Sequence, residues 1–266
     1  MYVGLAWHFW STRWRSRPAP ALGPETRALR VWERAGLLVP LALHGWLLYR
    51  GIFAATELRF GFAQALSVMM WLGVLIYWVE SLFYSLEGMQ PLVLPLAAVA
   101  APLPALFPGL AAGGPQAHAA EFRMHLALAM IAYGLFVIAL LHAALMAVAE
   151  RQLHGRGSLV IANLPPLLTL ERLLFRVIGA AFVFLTLTLL TGFAFSEALF
   201  GQAMRFDHKT VFAVLSWATF GLLLGGRLAY GWRGRTALRW TLTGFLMLLL
   251  AYVGSRFVLE VLLQRQ

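Results

Sequence analysis

The sequence predicts an all-α polytopic membrane protein, a helix bundle with seven or eight transmembrane helices. Of its 266 residues, 61% are hydrophobic and 12% are charged, whereas a soluble domain is closer to half apolar and a quarter charged. The mean hydropathy is +0.76. Apolar residues also form runs of about 20, the length at which a helix crosses the hydrocarbon. We expect one integral membrane domain over 1–266, with the bundle in 35–262 and a short N-terminal segment and basic loop in 1–34.

Seven segments are predicted to be membrane-spanning helices, and the third is rich in proline. We expect that third helix to be kinked, because a proline inside a helix removes one backbone hydrogen bond. The first ten residues, MYVGLAWHFW, form a truncated span, an interfacial segment or part of a longer native start; if they cross, the helices number eight. The seven segments are 35–54, 64–84, 89–107, 124–149, 173–199, 210–230 and 237–262.

The basic residues predict the orientation. Two thirds of the 21 lysines and arginines lie in three connections on one side, namely 11–35, 150–176 and 227–239. Short cytoplasmic loops carry such an excess. The sequence therefore predicts a multi-pass protein of the bacterial inner membrane with its Arg-rich loops in the cytoplasm. The net charge of +10 is interpreted as this topology signal, and no nucleic-acid partner is expected.

Two histidines are predicted to lie at similar depth. His125 and His208 each begin a predicted span from the extracytoplasmic side. Two neutral imidazoles on facing helices can be the axial ligands of one haem iron. The alternative is that each is an interfacial residue bonded to a headgroup or a loop carbonyl, and the sequence alone does not decide. Zinc is a third interpretation, but no further ligand stands beside either histidine.

Charged neighbours of these histidines are candidates to complete a haem site. Arg123, Arg205 and Lys209 are cations that can pair with haem propionates. Asp207 can orient an imidazole by accepting its second N–H, as carboxylates beside metal ligands do. The chain has no cysteine, so it cannot capture a haem vinyl group covalently or form disulfides.

The other histidines are weaker candidates. His44 lies inside a predicted span, where ionisable groups are often functional. His142 lies roughly 25 Å along the helix from His125, so the two cannot share a ligand. Glu80 is expected to extend to the cytoplasmic surface. Three more histidines, expected at interfaces or in loops, are His8, His118 and His154.

Three long stretches of the C-terminal part resemble a known family. They are HLALAMIAYGLFVIALLHAALMAVAERQL, LPPLLTLERLLFRVIGAAFVFLTLTLLTGFAFSEALF and HKTVFAVLSWATFGLLLGGRLAYGWRGRTALRWTLTGFLMLLLAYVGSRFVLEVLL. In this order they resemble the cytochrome c assembly family of haem-handling membrane proteins (CcsA, CcmC and HemX types). The resemblance covers roughly 60–262 and is strongest to the HemX-like or YpjD-like branch.

The resemblance implies a function at the outer face of the membrane. Members of the family handle haem there, with external histidines that flank a tryptophan-rich loop. His125 stands where the family places such a histidine. The implied cofactor is haem b, bound non-covalently, and the implied partners are the lipid bilayer and other cytochrome c maturation proteins.

The sequence departs from the synthase members in three places. The segment LFGQAMRFDHKT at 199–210 holds no tryptophan. Within it, Phe206-Asp207 and Lys209 match the family's aromatic-Asp-x-Lys pattern, with His208 in place of the family's proline. No histidine follows the last span, and Gly225-Gly226 stand where a further intramembrane histidine would fall. These departures imply a haem-binding accessory or sensor rather than a complete cytochrome c synthase, so no enzymatic activity is predicted.

A second hypothesis needs no haem. A membrane accessory protein would act through helix–helix contacts and regulate tetrapyrrole synthesis or a transporter. Gly221, Gly225 and Gly226 are small residues of the kind that allow close helix packing in membranes.

Overall fold

The computed structural model describes residues 1–14, 31–53, 58–84, 86, 88–109, 119–153, 166–200 and 207–263. Regular structure in these ranges is helical. α9 continues through a π-helical turn (Leu250–Gly254), α10 and a second π-helical turn (Val258–Leu262) as one rod. The helices are α1 (Tyr2–Phe9), α2 (Val31–Phe53), α3 (Phe62–Phe83), α4 (Gln90–Ala100), α5 (Leu103–Leu106), α6 (Ala120–Leu153), α7 (Leu167–Phe200), α8 (His208–Tyr230), α9 (Gly234–Leu249) and α10 (Ser255–Phe257).

Six helices of the described residues are long and apolar enough to cross a membrane. They match six of the seven predicted segments and confirm a polytopic helical bundle. The predicted count of seven or eight exceeds the six candidate spans of the described residues. The segment 89–107 is divided into α4 and the single-turn α5, and the first residues form an eight-residue helix with one π-helical turn.

The proline-rich segment nevertheless runs from one end of α3 to the other. It follows the turn after Tyr84, at the end of α3, and packs against α3. Beyond α5, the carbonyls of Phe107 and Pro108 accept hydrogen bonds from Gln64 Nε2 at 3.2 and 2.7 Å, in the first turn of α3. The break between α4 and α5 coincides with Pro102, which cannot donate a backbone hydrogen bond. The sequence predicted a kinked helix at these prolines, and the structure has a break between two helices instead.

Side-chain contacts fix the relative directions of the long helices. On α7 and α8, Thr186 bonds Trp217 and Phe175 packs under Arg227, so these helices are antiparallel. Leu72 and Glu80 of α3 contact Gly134 and His142 of α6, so these two helices are parallel. Both α6 and α8 are antiparallel to α9, as the pairs Tyr133–Leu248 and Glu150–Arg235 show for α6 and the pairs Ser216–Gly244 and Gly226–Trp232 show for α8. Phe136 of α6 also stacks on Phe220 of α8 at 3.9 Å between ring centroids. α3, α6 and α8 therefore begin at one end of the bundle, here named the His125 end. The opposite end, where α7 begins, is named the Arg227 end.

α6 is the central helix of the bundle. In the most apolar 18 residues of α6, 67% of the residues are buried, whereas the corresponding share in the three spans that follow is 22 to 33%. It packs against α3, α7 and α9. A Cβ atom placed on Gly134 would lie 2.6 Å from Leu72 Cβ of α3, which is far inside van der Waals contact. A glycine is therefore needed where α6 crosses α3.

The contact between Phe136 and Phe220 also sets the levels of the two histidines. His125 precedes Phe136 by 11 residues and His208 precedes Phe220 by 12, which correspond to roughly 16 and 18 Å at about 1.5 Å per residue. The two histidines therefore begin their helices at nearly the same depth. Their positions around the helix axes differ.

Candidate functional site

His125 is held against α7 by a hydrogen bond that leaves one ring nitrogen free. Its Nδ1 lies 3.0 Å from Thr191 Oγ1. The Thr191 hydroxyl lies 2.8 Å from the Leu187 carbonyl oxygen and 3.1 Å from the Thr188 carbonyl oxygen, and it can donate to either of them. This arrangement favours the tautomer in which His125 Nδ1 donates to Thr191 Oγ1 and Nε2 keeps a lone pair that can bind a metal.

Two residues of α7 shape the surroundings of this imidazole. Gly192 lies beneath it, and a Cβ there would lie 3.3 Å from His125 Cε1. Phe195 meets the ring edge-on, with centroids 6.4 Å apart. The glycine permits the close approach and the aromatic ring restricts rotation. The imidazole is half-buried and has a defined orientation.

His208 is the exposed first residue of α8. Val211 and Leu215, three and seven residues further on, are exposed as well, so the histidine continues the outward face of this helix. At about 100° per residue it lies roughly 120° around the helix from Phe220, which faces α6. The structure places His125 and His208 at the same level, and it does not aim His208 at α6.

Lys209, rather than its neighbour His208, lies on the face of α8 that meets α6. It precedes Phe220 by 11 residues and is therefore only about 20° away from the face that meets α6. It is half-buried and lies near Arg256 of the last helix. The predicted cation Arg123 is exposed, and Arg205 is outside the described residues.

Asp207 caps α8. Its Oδ1 accepts from the backbone N–H and the hydroxyl of Thr210, both at 3.0 Å. Burial acts to raise the pKa of this carboxyl, but the hydrogen bonds from Thr210 outweigh it and lower the pKa below its ordinary value. Asp207 is therefore the N-terminal cap of α8, a role that was not predicted from the sequence.

We expect Asp207→Ala to destabilise the protein by about 1 kcal/mol at neutral pH, because an N-terminal cap is lost. A lowered folded-state pKa contributes stability above the unfolded-state value and loses it as the pH falls through the folded-state pKa. The difference between wild type and variant should therefore shrink below about pH 4. Thermal unfolding in detergent measures it, and Asp207→Ser, which keeps a capping oxygen, is the control. Equal losses for serine and alanine would contradict the capping role.

Arg256 and Glu260 belong to this end of the bundle and were missed by sequence reasoning. The Arg256 guanidinium lies over the Tyr252 ring at 5.8 Å, and its Nε is buried without a hydrogen-bond partner among the described residues. The Glu260 carboxylate lies beside Gly61 and Phe62, at the start of α3. Tyr252 and Glu260 lie in the two π-helical turns of the last helix, and Arg256 lies between these turns. No sequence pattern signalled these turns.

The remaining described histidines are engaged elsewhere. Both ring nitrogens of His44 have partners, Tyr2 Oη at 3.3 Å and Ser67 Oγ at 2.9 Å. His142 Nδ1 lies 2.9 Å from the Ile138 carbonyl oxygen, and its Nε2 lies 3.5 Å from the carboxylate of Glu80. The expectation that Glu80 extends to the surface was therefore wrong. His8 contacts Glu33 at 3.4 Å, and two histidines outside the described residues are His118 and His154.

The fold and this site define a class of protein. A multi-pass helical membrane protein carries, at one end of its bundle, an oriented imidazole with a free nitrogen and a group of cations. The family model of the cytochrome C assembly protein matches residues 35–263. The chain therefore belongs to the cytochrome c assembly protein family, whose membership supports a haem-handling role in cytochrome c biogenesis.

Relatives point to one branch of this family. The chain is 34% identical over 139 residues to the inner membrane protein YpjD of Escherichia coli (strain K12), covering 52% of each chain. It is 29% identical over 155 residues to the cytochrome c biogenesis protein CcsA of Prochlorococcus marinus (strain MIT 9215), covering 51% of this chain and 50% of the relative. Together these matches support the YpjD-like branch.

The matched part of the relatives is limited. The chain spans about half the length of the curated relatives it matches. An uncharacterized 28.8 kDa protein of Azospirillum brasilense is similar in the same way, with 36% identity over 141 residues, 53% of this chain and 52% of the relative. No solved structure matches the chain.

Proposed function

We propose that this protein binds haem b non-covalently at the His125 end of the bundle and holds or presents it there during cytochrome c assembly. The observation that carries the proposal is the hydrogen bond from His125 Nδ1 to Thr191. This contact favours the tautomer in which Nε2 has the lone pair that iron requires. Bound haem would supply an iron with open axial positions and two propionate carboxylates.

Two cations at the same end of the bundle as His125 suit the propionates of such a group. Lys209 is half-buried on the face of α8 that turns towards α6, and Arg256 has a buried guanidinium nitrogen without a hydrogen-bond partner among the described residues. Cations of this kind form charge-assisted hydrogen bonds with carboxylates. We assign propionate binding to Lys209 and Arg256, with the exposed Arg123 as a further cation at the rim. Asp207 supports the site by capping the helix that carries Lys209.

We propose His208 as the second axial ligand. It lies at nearly the same depth as His125, which favours this role, and it is exposed on the outer face of α8, so its side chain must turn inwards to reach a shared iron. His125 does not need such a movement. Loss of His208 should therefore convert a six-coordinate haem into a five-coordinate one, whereas loss of His125 should remove most of the binding.

The orientation follows the distribution of arginines. We propose that the Arg227 end is cytoplasmic and the His125 end extracytoplasmic, as the excess of basic residues in the connections 11–35, 150–176 and 227–239 predicts. Haem at the His125 end would then be available to the compartment in which c-type cytochromes are assembled. The protein is proposed as a holder of haem rather than a synthase, because the segment 199–210 contains no tryptophan platform.

The hypothesis of a haem-free accessory protein receives less support from the three glycines. Gly221 already faces Phe182 of α7, and Gly226 faces Trp232 of its own chain. Gly225 meets nothing within 4 Å among the described residues. One open glycine is a small basis for a helix–helix interface.

A haem titration of the purified full chain tests the proposal. We expect saturable binding of one haem per chain, with a Soret band shifted from that of free haem in detergent and a low-spin ferric spectrum. His8→Ala, at the opposite end of the bundle, is the control and should bind like wild type. Binding that never saturates, or that saturates equally in protein-free detergent, would contradict the proposal.

The orienting role of Thr191 gives a separate prediction. Thr191→Val keeps the side-chain volume and removes the oxygen that accepts from His125 Nδ1. Loss of a hydrogen-bond partner of a metal ligand typically costs about 10- to 100-fold in affinity, and we expect a decrease in this range. Thr188→Val is the matched control, because the hydroxyl of Thr188 donates to the Phe184 carbonyl. Equal haem affinities of the two variants would remove Thr191 from the site.

A further inference from the structure

A second site lies at the Arg227 end, at the opposite end of the bundle from His125. A cavity of about 390 Å³ opens between α7, α8 and the connection to α9. Four arginines and one glutamate are its charged lining residues, so these side chains carry a net charge of +3: Arg172, Arg176, Arg227, Arg233 and Glu171. A cluster of like charges at the rim of a membrane bundle is unfavourable unless an anion compensates it.

The glutamate positions two of these arginines. Glu171 Oε1 forms ion pairs with Arg227 Nη2 at 2.5 Å and with Arg233 Nε at 3.5 Å. Arg227 also lies over the Phe175 ring at 4.7 Å and donates to the Trp232 carbonyl at 3.4 Å. These contacts hold the guanidinium of Arg227 in the lining, whereas the side chain of Arg233 is 62% exposed. Each guanidinium has five N–H donors, so donors remain on both arginines after the contacts to Glu171.

The other two arginines lie on α7 and are exposed. Arg176 donates to Tyr84 Oη at 3.0 Å. Arg172 lies one turn before it, on the same face of the helix.

We propose that this cavity binds the phosphate headgroup of an anionic phospholipid. A fork of guanidinium donors matches a phosphate group in geometry and charge. Basic pockets between membrane helices bind such headgroups. The alternative source of the same chemistry is free phosphate in solution.

The surface beside the cavity favours a lipid over free phosphate. The exposed face of α7 that begins with Arg172 and Arg176 continues with Val183, Leu187 and Leu190, which are 57, 40 and 57% exposed. An apolar strip that leads away from a cationic group fits an acyl chain below its phosphate.

Aromatic residues place the cavity at the membrane boundary. The rings of Tyr230, Trp232 and Trp240 stack in sequence, with centroids 6.3 and 5.3 Å apart. Such aromatic residues are typical of the level of the headgroups. The connection that contributes Arg233 to the cavity also contains Trp232. The cavity is therefore at the depth at which a phospholipid carries its phosphate.

Native mass spectrometry of the full chain tests the proposal. The protein is purified in detergent and mixed with equal amounts of phosphatidylglycerol and phosphatidylcholine. We expect wild type to retain one phosphatidylglycerol with a preference of about tenfold or more, and the double variant Arg172→Gln, Arg176→Gln to lose this preference. The matched control is Arg235→Gln, Arg239→Gln, which removes the same charge at the same end but outside the cavity, and it should behave like wild type.

The source of the phosphate is tested in the same experiment. Millimolar inorganic phosphate should neither displace the retained lipid nor raise the thermal stability of lipid-free protein. Stabilisation by phosphate that depends on Arg172 and Arg176, without lipid retention, would overturn the lipid proposal in favour of a soluble anion. Equal retention of both lipids, or equal loss in both double variants, would overturn the site itself. None of these measurements requires haem, so the result is independent of the proposed function.

Discussion

Replacing His125 with alanine is expected to reduce the affinity for haem by more than about 100-fold. Loss of a group that merely orients a metal ligand already costs about 10- to 100-fold, and the loss of the ligand itself should cost more. The imidazole is held by Thr191 with its Nε2 available, and no other described histidine at this level has a fixed orientation. Titration of haem into wild type and His125→Ala, followed at the Soret band, gives the ratio of affinities.

Two further variants make this result specific. His44→Ala removes a buried imidazole whose two nitrogens already have partners in the chain, so it should leave haem affinity unchanged. His208→Ala should lower affinity less than His125→Ala and change the ferric spectrum from low-spin towards high-spin. Unchanged binding in His125→Ala, with the fold intact by circular dichroism, would contradict the assignment.

Gly134→Ala is expected to destabilise the bundle strongly, because Gly134 lies where the central helix α6 crosses α3. The new methyl carbon would lie 2.6 Å from Leu72 Cβ, an atom that cannot move without its backbone. Overpacking of this kind costs about 1–3 kcal/mol, and separation of α3 from the central helix α6 places this variant at the upper part of that range. Thermal unfolding in detergent, followed by the fluorescence of the ten tryptophans, measures the loss.

Gly225→Ala is the matched control for this prediction. It makes the same change inside a membrane helix, and nothing among the described residues lies within 4 Å of the added carbon. Because alanine favours a helix over glycine by up to about 1 kcal/mol, this variant should be neutral or slightly more stable than wild type. If both variants unfold at the same temperature, the crossing of α3 and α6 is looser than the structure indicates.

The helices were predictable because they depend on a single strong signal. Runs of about 20 apolar residues have to be helical in a bilayer, where the backbone must satisfy its own hydrogen bonds. Six predicted segments correspond to six long helices, with ends that differ by up to six residues. The count failed at 89–107, where hydropathy continues through Pro102 but the helix does not. Composition alone did not distinguish a broken helix from a kinked one.

The sequence predicted the level of the two histidines along the bundle, but it did not predict which way their side chains point. That His125 and His208 lie at one level follows from where their helices begin, which the sequence shows. Which way each side chain points depends on the rotation of each helix, which is set by contacts such as the stack of Phe136 on Phe220. This register directs Lys209, rather than His208, towards α6. A helical wheel of α8 anchored on its buried residues Ser216 and Phe220 would have revealed this.

Pairs that join distant segments could not be predicted from one sequence. Glu80 and His142 are 62 positions apart, and each alone suggests a residue near a membrane surface. The same holds for Glu171, which suits the first turn of a helix but in the structure binds Arg227 and Arg233. Arg256 counted only as a charge in the sequence. Its place beside Lys209 depends on how the last helix packs, including its two π-helical turns.

The location of bound haem tests the central claim most directly. Because the chain has no cysteine, one fluorophore can be attached to Glu121→Cys at the His125 end or to Arg151→Cys near the other end of α6, both at exposed positions. Haem quenches a nearby fluorophore more strongly than a distant one. We predict that one equivalent of haem quenches the label at residue 121 far more than the label at residue 151. Stronger quenching at residue 151, or equal quenching at both, would contradict a haem site at the His125 end.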